Sequence, residues 1–136
     1  MFMRVTAHCI IKNEEVFIEA AILSVLTLVE TVLVFDTGST DKTVSIVRNL
    51  LQQYPDRIIF EEKGPCDKVR HTALRQEMVE RTQTEWFMIL DGDEVWSERG
   101  ICEAKTLLFR KDIECIMAPF YLCVGDVYHA YKKAGE

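Results

Sequence analysis

Three acidic side chains directly after a short apolar run are the residues of this sequence best suited to chemistry. The apolar run covers residues 86–90 (WFMIL), and Asp91, Asp93 and Glu94 follow it, with Gly92 between the two aspartates. Consecutive apolar residues are typical of a strand buried on both faces, as in a parallel sheet. The acids would then lie at the carboxyl edge of the sheet, where open α/β sheets bind ligands.

The spacing of Asp91 and Asp93 allows both carboxylates to point to the same side, and Gly92 would let a ligand approach the backbone. Oxygen ligands in this arrangement suit a hard dication such as Mg²⁺ or Mn²⁺, which commonly also takes oxygens from a substrate diphosphate. The alternative is a solvated acidic turn without a ligand, because Asp and Gly are ordinary turn residues.

A second acidic loop follows another β-rich run. Residues 31–35 (TVLVF) predict a strand, and residues 36–41 (DTGSTD) end it. Strands alternate with single helices along the chain, which predicts an α/β fold with a mainly parallel central sheet. Both acidic loops would then lie at the same edge of the sheet and outline a cleft for a ligand that has hydroxyls and charge.

The elements that position these loops are five predicted strands and four predicted helices. The strands are expected at residues 4–11, 31–35, 57–61, 86–90 and 113–121. The helices are expected at residues 14–28, from a cap at Thr40 or Asp41 to Tyr54, at 68–81 and at 98–109. Asn13, Asp67 and Ser97 are the other expected N-caps. The side chains expected to face inward from the third helix are Val69, Ala73, Met78 and Val79.

Composition predicts one globular domain that spans residues 1–136. Apolar residues make up 49% of the chain and charged residues 28%, and the formal net charge is −6. This negative charge, without a Lys/Arg cluster, argues against a nucleic-acid partner. The hydrophobic span from residue 16 to 35 contains Glu19 and Glu30, so it predicts neither a transmembrane helix nor a signal peptide.

The cysteines predict a reducing compartment, the cytoplasm. Five cysteines are an odd number, and none forms a Cys-x-x-Cys pair. Cys9 and Cys115 lie in apolar runs and are expected to be core thiols.

Four motifs occur in order along the chain: CIIKNEE from Cys9, VLVFDTGSTDKT from Val32, DKVRHTAL from Asp67 and WFMILDGDEVW from Trp86. Together they resemble the nucleotide-binding half of family 2 glycosyltransferases with the GT-A fold. The resemblance implies a Rossmann-like, three-layer α/β/α domain. It also implies binding of a nucleotide-diphosphate sugar, with a UDP-sugar favoured, and transfer of the sugar to an acceptor hydroxyl with inversion.

The same resemblance implies roles for individual residues. Asp36 would meet the nucleobase, with Ser39 in the same loop, and Arg70 would help to hold the nucleotide. The segment around Lys12 would form the other wall of the base pocket, and it includes Ile11 and Glu14.

Asp91 and Asp93 look like the DxD pair of this family, and both are predicted metal ligands. The first would contact the ribose or a metal-bound water, and the second would coordinate Mn²⁺ or Mg²⁺ that bridges the diphosphate. A fixed dication at this place stabilises the negative charge of the leaving nucleoside diphosphate.

The catalytic base stays unassigned. Inverting members take a carboxylate base from a later, acceptor-binding half, and the sequence ends at Glu136. The resemblance therefore implies that most of that half is lacking, as in a fragment of a longer enzyme or a minimal variant that borrows its acceptor site. Asp126 and His129 are the late candidates, and neither belongs to a matched motif.

Two other functions stay open at this point. The first is a non-catalytic module that binds a nucleotide sugar without turnover. The second is a metal-dependent phosphohydrolase with Asp36 as the nucleophile, although Gly38 stands where such a loop needs a second acid. A homo-oligomer is also open, because an exposed fifth strand would pair with another chain.

Overall fold

The computed structural model describes residues 3–130, without the side chain of Val127. Its strands are β1 (Val5–Ile11), β2 (Thr31–Asp36), β3 (Ile58–Glu62) and β4 (Trp86–Ile89), and its helices are α1 (Ile18–Val25), α2 (Thr43–Gln53), α3 (Lys68–Arg81) and α4 (Glu98–Leu108). The four strands form one parallel sheet in the order β3-β2-β1-β4. The predicted α/β fold with a parallel central sheet is therefore confirmed.

Two apolar clusters cover the two faces of this sheet. On one face, alternate residues of β1 and β2 pack with buried side chains of α1, α2 and α4, for example Ile22, Leu50 and Ile101. On the other face, Phe35 of β2 belongs to a smaller cluster with Met78 of α3. Helices on both faces of a sheet give the three-layer arrangement that the resemblance implied.

The register of the sheet fixes where the acidic loops emerge. Ile11 at the end of β1 lies opposite Asp36 at the end of β2, and His8 of β1 lies opposite Ile89 at the end of β4. Because these three strands are parallel, the loops that follow them leave the sheet at the same carboxyl edge.

Strand β4 is buried on one face only, so the expectation of burial on both faces was wrong. Trp86 and Met88 pack against the larger core cluster, whereas Phe87 is 46% exposed and Ile89 is 55% exposed. The reason is position: β4 is an edge strand of this sheet, and α3 covers the β2 side of the same face.

The predicted fifth strand at residues 113–121 is also wrong. Residues 110–122 contain neither helix nor strand, and a small antiparallel hairpin follows, made of β5 (Cys123–Val124) and β6 (Asp126–Ala130). An apolar run becomes a strand only when it has an edge to pair with, and Pro119 removes one backbone donor from the run. Cys115 in this segment is exposed, so it is not the core thiol that we expected, whereas Cys9 is.

The helix boundaries and faces differ from prediction in three places. Helix α2 begins at Thr43 with Lys42 as its N-cap residue, instead of Thr40 or Asp41. Helix α1 begins at Ile18, not at residue 14, and its N-cap residue Phe17 makes no side-chain cap bond. On α3, Met78 is buried as predicted, but Val69, Ala73 and Val79 are exposed. The expected caps Asp67 and Ser97 are confirmed, because each side chain accepts a backbone N–H of its own helix.

No helix in the part of the chain that the structure describes is long and apolar enough to cross a bilayer.

The buried histidine of β1 makes the stability of the fold depend on pH. His8 is 1% exposed, its ring stacks on Phe87 with centroids 4.8 Å apart, and its Nε2 is 2.7 Å from the hydroxyl of Thr82. Burial, and secondly the charge of Arg75, lower the pKa of His8 from 6.5 to about 4.

We expect the free energy of unfolding to decrease as pH falls from 6.5 toward 4, because the unfolded state then binds a proton that the folded state does not. The His8 contribution to this loss is up to about 3 kcal/mol. Urea unfolding at a series of pH values in the wild type and in His8→Gln measures it. The variant should have the shallower pH dependence over this range, and parallel curves would contradict the prediction.

Candidate functional site

The loop after β1 and the loop after β2 are joined by hydrogen bonds between side chains and backbone. The N–H of Asn13 donates to Ser39 Oγ at 2.8 Å, and the N–H of Thr40 donates to Asn13 Oδ1 at 2.8 Å. The N–H of Glu14 donates to Thr43 Oγ1 at 2.7 Å. Asn13 has a φ of 57°, a left-handed conformation that asparagine tolerates better than most residues. The loops after β1 and β2 therefore form one hydrogen-bonded unit.

Asp36 lies beneath this unit and shapes the second loop. It is 2% exposed, and its Oδ2 accepts the N–H groups of Gly38 and Ser39, each at 3.0 Å. Its Oδ1 has a single longer contact, 3.4 Å from the N–H of Ser39. Oδ1 is therefore the oxygen of Asp36 that retains capacity for a ligand.

Two further predicted site residues, Ile11 and Ser39, make contacts within the protein. The side chain of Ile11 is 2% exposed and belongs to the core, and its expected part in a nucleotide site stays a prediction. The carbonyl oxygen of Ile11 accepts the hydroxyl of Thr37 at 2.9 Å. The Ser39 hydroxyl is occupied by the bond to Asn13 described above.

A cavity of about 480 Å³ opens beside the joined loops, and its lining residues are Lys12, Pro65, Cys66, Asp67 and Arg70. Gly38, with a φ of +92°, lies against Pro65 at the rim. The N–H of Arg70 donates to Asp67 Oδ1 at 2.8 Å, which fixes the start of α3. The structure thus brings Lys12 and Arg70 to the same cavity, and its volume lies within the range of small-molecule sites.

Gly92 packs against the first loop and does not face a ligand. It is buried, and a Cβ built on it would lie 2.7 Å from Glu14 Cγ and 3.1 Å from Ile11 Cγ2. The absence of a side chain therefore lets Glu14 approach the loop that carries Asp91 and Asp93. The expectation that Gly92 leaves room for a ligand was wrong.

The acidic groups at this edge repel one another. The pKa of Glu14 is raised by burial first, and then by the charges of Asp93, Asp41 and Asp91. Asp91 is well exposed, and its Oδ1 is 3.8 Å from Nη2 of Arg75. The site therefore has an excess of negative charge that a bound cation would offset.

The chemistry of these donors fits Mn²⁺ or Mg²⁺. Within residues 3–130, no three His, Cys, Asp or Glu side chains are arranged to hold a metal ion by themselves. Such ions commonly take only one or two carboxylates, with waters and substrate phosphates as the other ligands. Asp91 and Asp93 stay the predicted ligands of such an ion.

Arg75 is a site residue that the sequence interpretation missed. It follows Leu74, which is buried against the sheet, and its Nη1 donates to the carbonyl of His8 at 3.3 Å. The signal in the sequence that could have indicated Arg75 is its position directly after the inward-facing Leu74, because a long side chain there can reach the edge of the sheet.

Asp126, the weak candidate for a catalytic base, has only local partners among the described residues. Its Oδ1 is 2.7 Å from Nδ1 of His129 and accepts the N–H of Tyr128 at 2.9 Å. The hydrogen bond with His129 is the main cause that lowers the pKa of Asp126. The described contacts do not link Asp126 to the acidic edge.

The chain belongs to glycosyl transferase family 2, because the model of that family matches residues 7–134.

Two kinds of relative agree with this assignment. The SPbeta prophage-derived glycosyltransferase SunS of Bacillus subtilis (strain 168) is 28% identical over 119 residues, which are 85% of this chain and 27% of SunS. The mannosyltransferase PcManGT from Pyrobaculum calidifontis, solved in complex with GDP-Man and Mn²⁺, superposes with a TM-score of 0.65 at 23% identity, over 82% of this chain and 33% of that chain. TarS residues 1–349 of S. aureus, solved in complex with UDP, has a TM-score of 0.53 at 21% identity, over 78% and 32%. The structural similarities confirm the GT-A-like α/β fold, and this chain spans about a third or less of each relative.

Gly92→Ala should reduce the free energy of unfolding by about 1–3 kcal/mol, because the new methyl group overpacks the contact with Glu14. Glu14→Ala in the same chain removes Cγ, so the double variant should recover part of this loss. Urea unfolding of both single variants and the double variant measures the coupling. The matched control is Gly100→Ala in α4, where alanine favours the helix. Additive effects of Gly92→Ala and Glu14→Ala would contradict the contact.

Proposed function

We propose that this domain binds a nucleotide-diphosphate sugar together with Mn²⁺ or Mg²⁺ at the carboxyl edge of its sheet. The observation that carries the proposal is that the loops after β1, β2 and β4 contact one another at this edge. Lys12 of the first loop lines the cavity together with Arg70. The complexes of PcManGT with GDP-Man and Mn²⁺ and of TarS with UDP support the class of ligand.

Each wall of the cleft has a distinct part in this proposal. Asp36 Oδ1 accepts a hydrogen bond from the nucleobase, while Lys12 and Arg70 face the nucleotide across the cavity. Ile11 and Ser39 keep the loops in place, and Glu14 supports the loop of Asp91 and Asp93. A UDP-sugar is the favoured donor, and a GDP-sugar is the competitor in the test.

In this proposal, Asp91 and Asp93 hold the dication. When the dication is bound, it stabilises the leaving diphosphate as a Lewis acid. Transfer to an acceptor hydroxyl with inversion requires a base that deprotonates the acceptor. Asp126 is not proposed for that role, because its carboxylate is engaged with His129. Donor binding is therefore the role proposed for the residues that the structure describes.

The phosphohydrolase alternative has no support in the geometry. An attacking carboxylate of this kind works with a second acid two residues further on, where this chain has Gly38, and Oδ2 of Asp36 is already occupied by two backbone N–H groups. A binding module without turnover remains the second candidate, because the described residues offer donor contacts but no assigned base.

A reducing compartment, the cytoplasm, is part of the proposal, since the cysteines of this chain are free thiols. A homo-oligomer is also proposed only as a candidate state, supported by the open edge of β4 in the described sheet.

The test is thermal stabilisation by UDP, GDP, CDP and TDP, each with Mn²⁺ and with EDTA. A nucleotide at a hundred times its dissociation constant should add about 2.7 kcal/mol of stability and raise the melting temperature by several degrees. We expect one nucleotide, UDP before the others, to act only with Mn²⁺.

Asp93→Asn should abolish the metal-dependent shift, because an amide is a poorer ligand for a hard dication than a carboxylate. Glu98→Gln, at the first residue of α4, removes the same charge outside the acidic loop and should keep the shift. If no nucleotide stabilises the wild type, or if Glu98→Gln behaves like Asp93→Asn, the proposed donor site is refuted.

A further inference from the structure

Arg75 connects three elements at the acidic edge. It projects from α3, its Nη1 donates to the carbonyl of His8 in β1 at 3.3 Å, and its Nη2 lies 3.8 Å from Oδ1 of Asp91. The same carbonyl of His8 accepts the N–H of Leu90 at 3.0 Å, directly before Asp91. The guanidinium group therefore lies where the sheet ends and the acidic loop begins.

Arg75 is the positively charged residue that forms an ion pair with the acidic loop after β4. Among the ion pairs formed within residues 3–130, the pair of Arg75 and Asp91 is the one that includes an acid of the segment 91–94. Burial first, and then the charges of Asp93, Asp41 and Asp91, raise the pKa of Glu14 in the neighbouring loop. One positive charge thus faces several negative ones.

The tie between Arg75 and Asp91 is loose, unlike the other ion pairs of α3. Arg81 is 2.6 Å from Glu61, and Lys63 is 2.8 Å from Glu77, distances typical of strong charge-assisted bonds. At 3.8 Å, Arg75 and Asp91 attract each other without a direct hydrogen bond. A guanidinium group has five N–H donors, and the contact with His8 uses one of them.

We propose that Arg75 is an exchangeable counter-charge for Asp91: it holds Asp91 in the ligand-free protein, yields it when a divalent cation binds, and then donates to the diphosphate of the nucleotide. This inference rests on the proposed function, since it assigns Asp91 to the cation. Arg75 is a positioning residue in the free protein and a contact to the anion in the complex.

The proposal predicts effects of opposite sign on two ligands. A fixed positive charge near Asp91 opposes a dication by Coulomb repulsion, so Arg75→Gln should bind Mn²⁺ alone more tightly, by about fivefold or more. The same variant lacks the guanidinium donors for the diphosphate, so it should bind UDP at saturating Mn²⁺ about tenfold more weakly or worse. A merely structural role for Arg75 would weaken both.

The experiment uses the full chain. Free Mn²⁺ is followed by its electron paramagnetic resonance signal during titration without nucleotide, and UDP binding at saturating Mn²⁺ is followed by calorimetry. Arg75→Lys keeps the charge and should leave the affinity for Mn²⁺ alone near the wild-type value, with an intermediate loss for UDP. Arg99→Gln, which removes an exposed arginine of α4, is the matched control and should change neither affinity.

Opposite shifts in Arg75→Gln, with no shift in Arg99→Gln, support the proposal. If the wild type binds both ligands, and Arg75→Gln either keeps both affinities or loses both, the proposal is overturned. If the wild type binds no Mn²⁺ and none of the nucleotides, the proposed function is refuted, and the inference about Arg75 is refuted as well. Urea unfolding of each variant confirms that the chains compared are folded.

Discussion

The parallel pairing of β1 with a strand on each side is the constraint on which this structure depends. Strand β1 lies between β2 and β4. Its side chains belong to the larger apolar cluster or pack against the smaller one. Because all three strands run the same way, their carboxyl ends meet, and the chain must turn back there three times. A shift of β1 by one residue would exchange its two faces and separate the loops that now contact one another.

The contacts at this edge balance attraction against repulsion. Side-chain oxygens of the second loop hold the backbone of the first, and a buried glycine lets Glu14 reach the acidic loop. Burial first, and then the carboxylates that these contacts bring together, raise the pKa of Glu14, which costs stability. Structures commonly tolerate such a cost where a ligand supplies the missing charge, and one loosely held arginine is the partial compensation within the described residues.

The alternation of strands and helices and the edge at which the loops meet could be predicted from the sequence, because they follow from hydrophobic periodicity. That Lys12 and Arg70 line one cavity could be expected only from the family motifs. The exposure of Phe87 and Ile89 could not, since it depends on where β4 lies in the sheet. Residues 113–121 have a strand-like composition, but a strand also needs a partner. The role of Gly92 and the reach of Arg75 depend on contacts between elements distant in sequence, which a local pattern does not contain.

The hydrogen bonds between the loops after β1 and β2 also limit the backbone N–H groups that this edge can offer to an anion. In many nucleotide-binding folds, free backbone N–H groups at the start of a helix cradle the phosphates. Here the N–H groups of Asn13 and Glu14 are already bonded to Ser39 and Thr43, and that of Glu15 is bonded to Asp41. The approach to α1 therefore offers little to a phosphate, and an anion held beside α1 would depend on side chains and on a bound cation.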